Sequence, residues 1–383
     1  MDRSFSKNDT LAAKGAAIIF LIFYHCLSSE SRLMGYSVDF APMAKEDAFL
    51  VFESMNICVG MFAFLSSFGL MKTINKKYLG SGREKLDAKS SSVFIAQRTI
   101  SLIGAFFIPY IICTLISLLV FQYNPYGEAN VFVLNMICDM LGLAGILGTS
   151  MMVRTWWYMS FALVIIALMP ITVNLYKKYG LAVLVPYLVF PLLIDLKFYN
   201  GSSVNNMTRW LLTIPLGIIF ADCDLFEKLK NRTITKNKYI SVILKFIICT
   251  ALLAGAFWLR KQMWCWMYLY YVISSVLPVI FIYWLYAFVC DIPVLKNILA
   301  FFGRYSSDIF FMHTFVRLVW FPWLTYSFGT WYGVFLFMMG VSLAMAVVTD
   351  LLRKLVRWDK FVGFLSAKGK TFVGYVMDKR ISE

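Results

Sequence analysis

The chain has 383 residues, 60% of them hydrophobic and 15% charged, with a mean hydropathy of +0.72. A soluble protein of that length has no interior large enough to hide so much apolar surface, so the composition excludes a soluble domain and indicates a multi-spanning membrane protein. The formal net charge of +15 would suit a nucleic-acid partner, but its distribution along the chain assigns it to the membrane instead.

The apolar runs last about 20 residues without strict alternation, which predicts spanning helices rather than barrel strands. The expected fold is all-α, a polytopic transmembrane helix bundle. Ten spans are predicted in chain order, at about 12–30, 50–71, 98–121, 154–175, 178–194, 209–223, 237–259, 265–288, 298–320 and 331–351. The first is read as a retained span, because no small-residue cleavage site follows it and equally strong spans come after. The fifth and sixth are short and contain proline, as expected of helices that bend or are buried among others. The stretch 131–150 carries Asp139 and several glycines, and reads as interfacial or re-entrant. The eight cysteines are scattered with no CxxC pair, so they read as small core residues rather than a metal or redox site.

With the N-terminus inside, Lys and Arg collect on the inner side. Arg3, Lys7 and Lys14 precede or open the first span, and Lys72, Lys76, Lys77, Arg83, Lys85 and Lys89 fill the second loop. Lys177, Lys178, the cluster from Lys228 to Lys238, Lys296 and the run from Arg353 to Arg380 follow. The outer side holds only Arg32, Lys45, Arg154, Lys197, Arg209, Arg260, Lys261 and Arg317. That bias predicts both termini in the cytoplasm of a multi-pass cell-membrane protein. It accounts for the net charge through contact with membrane lipids, with no nucleic-acid partner. Binding of a phosphorylated cytosolic donor is the alternative use of the basic belt. The expected organisation is a transmembrane domain over 1–351 and a basic cytoplasmic C-terminal tail over 352–383.

Chemistry is sought at the two histidines, His25 and His313, both inside long apolar runs. An ionisable residue there should face a bundle interior or a wet cavity. Lys14 and His25 are eleven residues apart, which on a helix is roughly 17 Å of rise and about 20° of rotation, so they share a face. Ser29 lies one turn further along nearly the same face. On the ninth span, Arg304 and Asp308 form an i,i+4 couple, and His313 and Arg317 another. A neutral histidine can take a proton from an attacking alcohol and return it to a thiolate. Donors for a developing oxyanion are sought among Ser66, Ser67, Trp157, Tyr158 and Arg317. No GxSxG elbow is present, and carboxylates are not spaced as ligands, so a serine esterase and a metal site are not indicated.

Several segments, in order, resemble the acyltransferase-3 family of integral membrane O-acyltransferases. KGAAIIFLIFYH, ending at His25, is similar to its first span with a catalytic histidine. VGMFAFLSSFGLMK is similar to an FF-x-LSGF motif, with Ser67 where glycine is usual. RTISLIGAFFIPY resembles the arginine-led entry to span three, with Ser101 where a second arginine often stands. WWYMSFAL and GRYSSDIFFMH resemble two further segments, and the likeness covers residues 12–351. The resemblance implies transfer of an acyl group, most often acetyl from acetyl-CoA (or another acyl-CoA), to a hydroxyl of a surface polysaccharide or glycan precursor. It implies His25 as acid/base and Arg98 at the donor or the intermediate, with the Lys-rich 72–89 loop as a substitute. Lys14, Ser66, Trp157, Ser306 and His313 would line or brace the site. Polysaccharide synthesis or export proteins are partners the resemblance allows; no SGNH-type domain follows the last span, so any relay to a second catalytic domain involves another protein or is absent.

Two other readings compete. A transporter or flippase for a glycolipid or polysaccharide intermediate would use the short proline-containing spans as broken helices. A membrane subunit without chemistry would use the histidines only to tie helices. Convergence of the two histidines within about 10 Å in a wet cavity open to both sides favours chemistry, and distant burial in separate dry contacts opposes it.

Overall fold

The computed structural model describes residues 4–80, 85–193, 206–262 and 267–382, and it is helical throughout. Arg3, Arg83, Lys197 and Cys265 lie outside the described residues. Among the described residues seven helical runs are long and apolar enough to cross a membrane: Lys7–Leu27, Lys45–Leu79, Ala88–Leu119, Arg154–Pro191, Lys238–Gln262, Tyr268–Val289 and Trp331–Leu355. The protein is therefore a multi-pass membrane protein.

The count departs from ten at identifiable places. The fourth and fifth predicted spans form one run, because Lys177, Lys178 and Gly180 interrupt it only by a four-residue 3₁₀ turn, Gly180–Val183. The sixth holds only the ten-residue helix Thr213–Asp222. The ninth is a 23-residue helix, Pro293–Phe315, long enough to cross but carrying Lys296, Arg304 and Asp308. The apolar stretch after 130 is a twelve-residue helix, Ala129–Met140, too short to span.

The chain forms two compact units and passes between them repeatedly. The first unit contains Met1–Tyr24, Leu50–Lys77 and Leu175–Ser306. Its first helix, α1 (Lys7–Leu27), opens on a reciprocal cap: Ser6 Oγ accepts from the Asp9 N–H at 3.2 Å, and the Ser6 N–H donates to Asp9 at 2.8 Å. Asp9 also pairs with Lys296 at 2.8 Å. Gly15 and Gly303 face each other's helices so closely that a Cβ at either would overlap a carbonyl, that of Leu299 or of Leu11. This is the small-residue contact by which membrane helices approach. Further along, Gly217 leaves room for the Phe64 carbonyl and the Ser67 Cβ. Several lysines of the basic belt are paired rather than bare: Lys72 with Asp224, Lys177 with Asp222 at 2.8 Å, and Lys230 with Asp291 at 2.7 Å.

The second unit contains His25–Phe49, Tyr78–Asn174 and Ser307–Glu383. Its longest helix, α2 (Ala88–Leu119), is capped by Asp87, which accepts from the Ser90 N–H at 2.6 Å. Trp331–Leu355 (α3) continues past residue 351, and Trp358–Ser382 (α4) lies along α2. Gly104 of α2 admits Val362 and accepts from the Trp358 indole at 2.8 Å, while Lys89 holds Asp378 at 2.6 Å.

Asp308 does not pair with Arg304, which is exposed; it binds Arg353 of α3 in a two-toothed contact at 2.7 and 2.8 Å. A guanidinium matches both carboxylate oxygens of a largely buried acid, which an i,i+4 neighbour on a solvated face does not.

Asp139 is buried too. Its Oδ2 meets the Tyr126 hydroxyl at 2.8 Å and the Met152 N–H at 2.7 Å. The Tyr110 hydroxyl meets that of Tyr126 at 3.0 Å and the Met136 carbonyl at 2.9 Å. Tyr126 and Met152 both donate to Asp139 Oδ2, which lowers its affinity for a proton, but desolvation by burial outweighs them. Burial raises its carboxyl to about 7.

Candidate functional site

The second unit brings the two histidines together, with ring centroids 5.1 Å apart at 50°. His25 comes from the last turn of α1, and His313 from the last turn of Pro293–Phe315. The hydrogen bonds around each ring define its neutral tautomer. Arg32 Nη1 lies 3.1 Å from His25 Nδ1. A guanidinium can only donate, so Nδ1 accepts and the proton of neutral His25 sits on Nε2. His313 is the reverse. Its Nδ1 faces the carbonyls of Phe310 at 2.8 Å and Ile309 at 3.2 Å, which can only accept, so Nδ1 carries the proton. Its Nε2 lone pair then accepts from the Thr314 hydroxyl at 3.1 Å, which Thr155 contacts at 3.0 Å.

The surroundings hold this arrangement in place. After His313 the helix widens into a π turn, Val316–Trp320, which carries Arg317. Arg317 is buried, and its Nη1 donates to the Arg32 carbonyl at 3.0 Å. The Tyr326 hydroxyl reaches the same carbonyl at 2.6 Å and that of Cys26 at 3.1 Å. The Arg32 backbone is thus tied down while its side chain holds His25. Arg317 Nε is buried with no acceptor among the described residues. That leaves a guanidinium donor beside the histidine pair for an oxyanion or a carbonyl oxygen.

The other expected site residues are distributed as follows. Arg317 joins the histidines, but through Arg32 rather than as the helical couple of His313. Trp157 is half-buried and packs on Tyr158 and Phe161. Its neighbour Trp156 is the buried one, donating from its indole to the Phe311 carbonyl at 3.0 Å and packing on Phe315. Arg98 sits on α2, with its guanidinium over the Phe94 ring at 6.0 Å. Lys14, Ser66 and Ser306 belong to the first unit. Ser306 donates to its own helix at Gly303, 2.9 Å away, and Ser67 donates to Ala63 at 3.1 Å. Neither serine hydroxyl is thereby aimed at an oxyanion. Arg32 and Thr314 were not legible as site residues. Arg32 read as one outer-side charge, and its only sequence signal is the turn forced just after it, where Met34 and Gly35 both take positive φ.

No curated protein and no solved structure matches the chain. The family model described as an acyltransferase domain matches residues 12–349. That match runs through both histidines and nearly every span, and the chain belongs to this acyltransferase-3 family of membrane acyltransferases, which draws on acyl-CoA donors.

Proposed function

We propose that the protein transfers an acetyl group from acetyl-CoA to a hydroxyl of a cell-surface polysaccharide or glycan precursor, with both termini in the cytoplasm. The observation that carries this reading is the meeting of His25 and His313, with opposite tautomers, beside an unsatisfied Arg317 donor. His313 presents the lone pair a general base needs, and the Thr314 hydroxyl on it marks the position an acceptor hydroxyl would take.

The acceptor oxygen attacks the thioester carbonyl as its proton passes to His313 Nε2. The Nε2–H of His25, backed by Arg32, and the Nε–H of Arg317 meet the developing oxyanion. Collapse breaks the carbon–sulfur bond, and the proton on His313 passes to the leaving thiolate. The expected assignment of acid/base work to His25 is thereby divided: His313 moves the proton and His25 stabilises the charge. Arg98, in the second unit with the histidines, is proposed to serve the donor from the basic side of the membrane.

Membranes containing the protein, supplied with acetyl-CoA labelled in its acetyl group, should place label in the glycan fraction. Equal label in membranes lacking the protein would remove the reading.

A further inference from the structure

We propose that a cavity wholly within the first unit binds an anionic saccharide, a sugar bearing a carboxylate or phosphate. The choice of a saccharide among anions rests on the acyl-transfer reading, in which it would be the acceptor. The cavity measures about 900 Å³ and lies between the start of the run Lys45–Leu79, residue Arg209 and the facing ends of the helices Lys238–Gln262 and Met267–Trp284. That volume is in the range of small-molecule sites. Phe52 stacks on Phe23 of α1 at 5.2 Å, which puts the cavity at the end of the unit toward which α1 runs. On the proposed topology this is the outer end.

Its floor is cationic and its walls are aromatic. The guanidinium groups of Arg209 and Arg260 both lie on the Tyr270 ring, at 4.9 and 5.1 Å. They differ in what else they bind. Arg260 is buried and engaged, donating to Ser274 at 3.0 Å, to the Tyr270 hydroxyl at 2.9 Å and to Asn56. Asn56 in turn donates to Glu53 at 3.2 Å, so the one acid among the described lining residues is tied into the Arg260 side. Arg209 Nε is buried and has no acceptor among the described residues. A buried donor left without a partner is costly, and a planar two-oxygen anion is the group a guanidinium binds best. Lys261 adds an exposed cation at the rim. The indole of Trp258, 62% exposed, offers a flat apolar face on which the C–H face of a sugar ring can rest. Charge on the floor with flat rings around it fits a sugar acid or sugar phosphate better than an acyl chain.

The test uses the full chain in phosphatidylcholine nanodiscs, with trigalacturonic acid as anionic probe and maltotriose as neutral control, read by calorimetry without acyl-CoA. Trigalacturonic acid should bind at least about tenfold more tightly than maltotriose, and Arg209→Gln should weaken it about tenfold. Lys261→Gln changes only an exposed side chain and should weaken binding about two- to threefold, which keeps the test valid if Arg209→Gln is not monodisperse. Equal affinity for both sugars, or unchanged affinity in a monodisperse Arg209→Gln, would overturn the proposal. So would binding of neither sugar together with an Arg209-dependent thermal shift in phosphatidylglycerol nanodiscs, which would assign the cavity to a lipid headgroup. Loss of sugar binding with labelled acetyl transfer intact refutes this site alone. Intact binding with no acetyl transfer refutes the enzyme reading alone.

Discussion

Glutamine substitution separates the two histidines. The contact of Arg32 Nη1 with His25 Nδ1 at 3.1 Å leaves His25 a donor from Nε2. A glutamine amide can place an N–H near that position. Removing a preorganised oxyanion donor costs about 10²–10³-fold in rate, or about 2.7–4 kcal/mol of barrier. His25→Ala should lose that amount, and His25→Gln should regain about tenfold of it. His313 must hold and release a proton, which an amide cannot do. His313→Ala and His313→Gln should therefore both fall by about 10²–10⁴-fold. Initial rates of labelled acetyl transfer to glycan in membranes, normalised to inserted protein, make the comparison. A His25→Gln protein as inactive as His25→Ala, with His313→Gln still active, would refute the division of roles.

Three further outcomes follow from the packing. Arg353→Met leaves Asp308 buried without its guanidinium and should cost about 3–5 kcal/mol, whereas Arg353→Met with Asp308→Leu should recover most of it; thermal unfolding in detergent reads both, and a silent single variant contradicts the buried pair. Gly303→Ala forces a Cβ onto the Leu11 carbonyl and should destabilise by about 1–3 kcal/mol, seen as lost monodispersity on size exclusion, while Gly340→Ala, with open space around it, should not. Asp139 keeps its proton up to about 7 when folded and to about 4 when unfolded, so the native state holds the extra proton across that window. Stability should fall by about 4 kcal/mol as pH rises from 4 to 7 and level off above, and Asp139→Asn should flatten the profile; melting curves with no wild-type slope would contradict a protonated Asp139.

The membrane fold was legible because hydropathy over twenty residues is a local property. Span boundaries were less so. Lys177, Lys178 and Gly180 look like a loop, yet a 3₁₀ turn carries the helical run past them. Partners were the least legible. Asp308 has a helical neighbour of the right charge in Arg304, but the pair that forms is with Arg353, far along the chain and able to bind both oxygens. Likewise, the sequence places each histidine on a helix and says nothing about whether the helices meet. Arg32 was counted as a topology charge because its role depends on a turn and on two donors, Arg317 and Tyr326, that only the folded unit supplies. The near approach of Gly15 and Gly303 had a sequence trace, glycine within an apolar helix, without a sign of which helix it faced.

The most direct measurement is acetyl transfer from labelled acetyl-CoA to surface carbohydrate in cells carrying wild type or His25→Ala at equal levels of inserted protein. Wild type should label the carbohydrate, and His25→Ala should lose about 99% or more of that label. Equal labelling in the two would contradict a catalytic role for the histidine pair.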